Sequence, residues 1–272
     1  MTLKKSKLFL VKLGGSLVTD KTKPYTPRLD VIRRLAKEIK EAEAKGIKII
    51  IGHGGGSFPH VSAAKYQTHK GFISDTSIYG MAVVHNDAMK LNAIIMDELL
   101  SAGIRAFPIQ PSSIAITENA KIKRMYIEPI KVLLKYGMTP VVYGDVGIDL
   151  KRGCCIMSTE EIFRYLALKL KDEYEPFIVM CEVVDGIYTK DPLKYSDAEF
   201  IKEVSSKNIN EVKKYLSASH GIDVTGGMIH KVNILFELAK KGINSIIING
   251  LVENNLKNVL MGQLVKGTVI KY

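Results

Sequence analysis

The chain predicts a three-layer α/β/α sandwich on a largely parallel sheet, and three observations carry that expectation. Short continuous apolar runs rich in Ile and Val recur along it, as strands covered on both faces require. Stretches with apolar residues at helical spacing separate these runs, the alternation that crossover connections of a parallel sheet produce. Two of the runs end directly in glycine clusters, Gly14 with Gly15 and then Gly54, Gly55 and Gly56. Strand ends of this kind are where open α/β sheets bind ligands.

Taken in order, the apolar run at 8–11 leads through Lys12 into LGGS. The segment 28–45 carries Val31, Leu35 and Ile39 at helical spacing and stops at Gly46, and the Ile-rich stretch 47–51 reads as a buried strand. A long amphipathic helix is expected over 77–102, ended by Gly103, followed by a short strand over 104–109 near Pro108 and Pro111. A helix over 127–136, a strand over 138–143 and a hairpin over 146–156 turning near Arg152 and Gly153 come next. Ser158 with Glu161 forms a capping-box pattern for a helix through 170. Strands over 177–184 and 245–248 flank a helix over 226–241. No repeat, linker or low-complexity stretch interrupts this order, so 1–272 reads as a single domain.

Composition narrows the function. The 272 residues are 46% hydrophobic, enough for one large core, and the net charge of +11 admits nucleic acid, acidic membranes or an anionic small molecule as partner. Basic residues are spread among acidic ones with no arginine-rich block, which argues against nucleic acid. Cys154 and Cys155 are adjacent and Cys181 is distant, a pattern suited to neither a metal site nor a disulfide framework. No run approaches the ~20 apolar residues of a membrane span, and the N-terminal apolar run is too short for a signal peptide. A cytoplasmic protein acting on a small anion is the expectation.

The glycine loops supply the chemistry. Glycines without Cβ atoms leave backbone N–H groups unshielded and free to converge on an anion. Lys12, inside an apolar strand, is costly unless its ammonium reaches an anion at the strand end. A third site, DVTGGMIHK over 223–231, combines a capping Asp223 or Thr225, the bare amides of Gly226 and Gly227, and Lys231 one turn inside a helix. Such a helix start suits the outer phosphates of a nucleotide.

The ordered set VKLGGS, HGGGSF with His60, VYGD at 142–145, VDGIYTKDP at 184–192 and DVTGGMIHK resembles the amino acid kinase superfamily along nearly the whole chain. Within it the sequence is most similar to the archaeal isopentenyl phosphate kinases, through Lys21 after Thr19 and Asp20, through His60, and through IQPSS at 109–113. The resemblance implies the amino acid kinase fold and transfer of the γ-phosphoryl group of MgATP to an isoprenoid monophosphate. It places the acceptor on the N-terminal half, about 1–170, and ATP on the C-terminal half, about 171–272. It assigns Lys12, Lys21 and His60 to catalysis. ATP would be held by Lys12, Gly14, Gly15, Ser16, Gly56, Asp185, Gly186, Tyr188, Lys190, Gly226, Gly227 and Lys231. The acceptor would meet Gly54, Gly55, His60, Ser158 and Thr159, with Met81, Ala82 and His85 along its hydrocarbon tail. Mg²⁺ is implied without a nameable carboxylate cage, and a homodimer is implied with the long helix as a contact.

Departures from the family pattern point to two alternatives, a kinase of another small phosphate, phosphonate or carboxylate as in the fosfomycin kinases, and a non-catalytic nucleotide-binding relative. Pro59 stands where glycine is usual and removes a backbone donor. Ser158, Thr159 and Glu160 replace Ser, Gly, Asp, and Glu182 with Val183 replaces Thr, Asp.

Overall fold

The computed structural model describes residues 5–218 and 227–272. β1 (Ser6–Leu13) leads through a single turn, α1 (Gly15–Val18), to α2 (Leu29–Glu43) and β2 (Lys48–His53). Next come α3 (Pro59–Tyr66), the long α4 (Asp75–Ser101), β3 (Ala106–Pro108) and a second single turn, α5 (Pro111–Ile114). A hairpin of β4 (Ala115–Glu118) and β5 (Lys121–Met125) precedes α6 (Glu128–Lys135), β6 (Thr139–Tyr143) and a second hairpin, β7 (Asp145–Asp149) with β8 (Gly153–Met157). The chain continues through α7 (Thr159–Leu170), β9 (Tyr174–Glu182), the two-residue strands β10 (Ile187–Tyr188), β11 (Phe200–Ile201) and β12 (Glu203–Val204), and α8 (Ile209–Ala218). It finishes with α9 (Gly227–Ala239), β13 (Ser245–Asn249), α10 (Asn255–Leu260) and β14 (Gly267–Ile270).

The main sheet has the order β12-β14-β13-β9-β1-β2-β6-β3, and every neighbouring pair is parallel except β13 with β14. β1 lies between β2 and β9, with Lys12 opposite Gly52 on one side and Met180 on the other. Strand alternation sorts the core into two layers. Phe9, Val11 and Leu13 pack with Ile32, Leu35 and Ile39 of α2 and with Leu91 and Ile95 of α4. Leu8 and Leu10 face the other way, with Ile162, Phe163 and Leu166 of α7 and Val232 and Leu235 of α9. This is the expected sandwich, and its parity has a consequence for the site: Lys12 continues the face of Leu8 and Leu10, and Glu182 that of Ile178 and Met180.

The expected helices and buried strands form within a few residues of their anticipated bounds, with the strand anticipated over 104–109 reduced to β3. Two differences have local causes. Residues 115–125, which carry too few alternating positions to read as strands, form the β4–β5 hairpin. The capping box before α7 is half made: Ser158 Oγ accepts from the Glu161 N–H at 3.2 Å, while the Glu161 carboxylate turns to Arg164. Among the described residues no helix is long and apolar enough to cross a membrane.

Candidate active site

The carboxyl ends of β1 and β2 bring the two glycine loops back to back. A Cβ on Gly15 would lie 2.6 Å from the Gly56 nitrogen, and one on Gly54 would lie 2.8 Å from the Gly15 nitrogen. Gly56 sits at φ +55, in the left-handed region that favours glycine. Thr19 ties the loops together: its hydroxyl donates to the Gly15 carbonyl at 2.7 Å, and its Oγ1 accepts from the Ser57 N–H at 2.9 Å.

These loops floor a cavity that gathers much of the anticipated site. Lys12, Gly15, Ser16, Lys21, Gly54, Gly55, Gly56, His60, Ser158, Thr159 and Lys231 all line it, together with Pro59, Asp145, Glu160 and Glu182. Gly55 and Gly56 N–H groups have no hydrogen-bond acceptor among the described residues, so both can serve an anion. Two anticipated donors are committed elsewhere. The Gly14 N–H bonds the Cys181 carbonyl at 2.9 Å, and Gly54 donates to Leu13 at 3.0 Å. The Thr159 hydroxyl likewise donates to the His53 carbonyl at 2.7 Å, so Thr159 walls the cavity with its methyl-bearing side chain already anchored. Pro59 occupies the first position of α3, where an N–H has no intrahelical partner, so the helix loses no hydrogen bond while the anion cradle has one amide fewer.

Lys12 meets protein carboxylates. Its Nζ donates to Glu160 Oε1 at 2.6 Å and lies 3.5 Å from Glu182 Oε1, and Lys231 Nζ lies 2.9 Å from that same Glu182 oxygen. Burial alone would lower the Lys12 pKa, but the two carboxylates outweigh it and hold the ammonium firmly charged. Burial would raise the Glu160 carboxyl, yet Lys12 and then Lys231 hold it at about 2. Because that folded value lies below the ordinary one near ~4.3, the pairing stabilises the protein above pH ~4.3 and the benefit is lost as pH falls towards 2. Stability measured by denaturant unfolding is therefore expected to drop through this window, and Glu160→Gln to flatten the drop.

The residues expected on the nucleotide side fall into two groups. Lys231 stands beside Glu182 and Gly227 begins the same helix, α9, whereas Asp223, Thr225 and Gly226 lie outside the described residues. Asp185 accepts from Tyr188 Oη at 2.9 Å and from Asn249 at 3.0 Å and pairs with Lys266, while Lys190 pairs with Asp197. Asp185, Gly186, Tyr188 and Lys190 follow β9 in the chain and do not line the cavity. Met81, Ala82 and His85 line a shallower adjoining groove with Phe72, Val146 and Ile148. Val84, Val146, Met81 and Ile156 pack together where the two hollows meet. Asp145, quoted in a motif but given no role from sequence, connects them: it lines the cavity, accepts from His85 Nδ1 at 2.9 Å and accepts from the Ser112 N–H at 3.2 Å.

Unshielded amides and the buried Lys12 at the carboxyl ends of parallel strands, with Lys231 of α9 beside them, define a phosphate-handling α/β domain of the phosphotransferase type. The chain belongs to the amino acid kinase family, whose model matches residues 7–249. It is 34% identical over 271 residues to the isopentenyl phosphate kinase of Methanothermobacter thermautotrophicus, covering 97% of this chain and 98% of that protein. To the isopentenyl phosphate kinase of Methanocaldococcus jannaschii it is 36% identical over 275 residues, covering 97% and 99%. An X-ray structure of isopentenyl phosphate kinase superposes with a TM-score of 0.84 at 32% identity, over 97% of this chain and all of the other.

Proposed function

We propose that this protein transfers the γ-phosphoryl group of ATP to isopentenyl phosphate, making isopentenyl diphosphate for isoprenoid biosynthesis. The observation that carries the reading is the convergence of Lys12, Lys21, His60 and Lys231 with two open glycine amides in one cavity, in a chain similar over nearly its full length to isopentenyl phosphate kinases. Bringing two phosphates together sets anion against anion, so catalysis is mainly positioning and positive charge. His60, at the start of α3, is suited to bind the acceptor phosphate. Lys21, exposed at the cavity edge, and Lys12, fixed in β1, would flank the transferred group. Lys231 and α9 would hold the nucleotide, which gives the N-terminal half to the acceptor and the C-terminal half to ATP. The groove of Met81, Ala82 and His85 is the natural course for the hydrocarbon tail.

Among the described residues no group of three or more His, Cys, Asp or Glu is placed to hold a metal ion, and both Glu160 and Glu182 are paired with lysines. Mg²⁺ would therefore arrive on the phosphates of the nucleotide, where it neutralises charge. A cytoplasmic homodimer contacting through α4 completes the proposal.

The test is ADP release from MgATP with isopentenyl phosphate, a small phosphonate and no acceptor compared side by side. Release dependent on isopentenyl phosphate supports the proposal; ATP binding without stimulation by that acceptor sinks it. Two variants separate the assigned roles. Lys21→Ala is expected to lower kcat by roughly 10²- to 10³-fold with little change in KM for ATP. His60→Ala should act mainly on the acceptor KM, and equal effects of both variants on both parameters would refute the assignment.

A further inference from the structure

Glu182 is an acid set in the cavity that must receive phosphates. It ends β9, is 6% exposed, and places Oε1 2.9 Å from Lys231 and 3.5 Å from Lys12. The backbone makes room for it, because a Cβ on Gly14 would fall 2.6 Å from Glu182 Oε2. Glu160 takes the closer contact to Lys12, at 2.6 Å, and leaves Glu182 as the partner of Lys231. Two ammonium groups and two carboxylates thus form a quartet with no net charge. A phosphate chain entering it meets no net charge from these four groups. To bond Lys231 it must displace Glu182, and the displaced carboxylate then faces the incoming anion at short range, where like charges repel strongly.

We infer that Glu182 sets nucleotide affinity by competing with the terminal phosphates for Lys231, keeping binding loose enough for the spent nucleotide to leave. This rests on the reading of the cavity as an ATP site. The sign of the effect separates it from a bracing role. A carboxylate that only held Lys231 in place would weaken nucleotide binding when neutralised. A competitor strengthens binding when neutralised, because the quartet then carries a net positive charge. Glu160 acts differently: its closer partner is the fixed Lys12.

The experiment is calorimetric titration of the full-length protein with MgADP, comparing the wild type with Glu182→Gln and Glu182→Thr, alongside kcat and KM for ATP. Thermal unfolding of each variant checks that the fold is kept, and the threonine variant serves if the glutamine variant does not fold. The expected result is an ADP Kd at least about tenfold lower in the variants, with a lower KM for ATP and a reduced kcat as release slows. An unchanged or higher Kd in a folded variant overturns the inference. Tighter ADP binding without turnover of isopentenyl phosphate would uphold Glu182 and remove the acceptor reading. Normal turnover with unchanged ADP affinity would do the reverse.

Discussion

Replacing Lys12 with methionine is expected to cut phosphoryl transfer by about 10³-fold or more and to destabilise the fold by roughly 3 to 5 kcal/mol. Both effects come from one ammonium. It lines the cavity where the transferred group must pass, and it neutralises Glu160 at 2.6 Å while sharing Glu182 with Lys231. Without it two buried carboxylates face one lysine, and breaking a buried pair from one side leaves an uncompensated charge. The two effects can be separated. Adding Glu160→Gln to Lys12→Met restores charge balance, with Glu182 and Lys231 left as a pair, so chemical denaturation should recover much of the stability while turnover stays lost. Recovery of turnover in the double variant would show that Lys12 acts only through the fold.

Gly15→Ala is expected to reduce activity by at least about 10²-fold, through displacement of the phosphate loops rather than loss of a side chain. The added methyl group would sit 2.6 Å from the Gly56 nitrogen and 2.9 Å from its Cα, and both are backbone atoms that no rotamer change can move away. The loop that must yield also holds Gly55, whose N–H is open to an anion, and leads into α3, whose second residue is His60. Raised KM values for both substrates with a modest loss of thermal stability would fit this account. An alanine variant with wild-type kinetics would show that the close approach of the two loops is not needed. A helical glycine facing open space, by contrast, would accept alanine at little cost.

Much of this arrangement is legible in the sequence because the rules behind it are local. Short apolar runs at 8–11 and 47–51, the second rich in Ile, announce strands buried on both faces, and the glycines that follow announce anion loops. The parity of Leu8, Leu10 and Lys12 even gives the face on which Lys12 lies. Its partner is not local: Glu160 is 148 positions away and reaches Lys12 only because α7 packs on that face of β1. The same limit explains Thr159 and Gly14. Their potential contacts with phosphate are legible from motif position, but the competing carbonyls of His53 and Cys181 come from other strand ends. That Pro59 opens the first turn of α3, and so costs the helix no hydrogen bond, is seen only in the fold. The tail stripe on α4 follows helical spacing, yet whether its groove opens into the phosphate cavity depends on how Val84 packs against Val146, on β7.

The phosphate of an isoprenoid monophosphate is the expected acceptor, and phosphorus NMR of the reaction mixture shows this most directly. With MgATP, isopentenyl phosphate and the purified protein, the acceptor monophosphate signal is expected to be replaced by the paired signals of an organic diphosphate as ADP accumulates. Accumulation of ADP with free orthophosphate and an unchanged acceptor signal would contradict the claim.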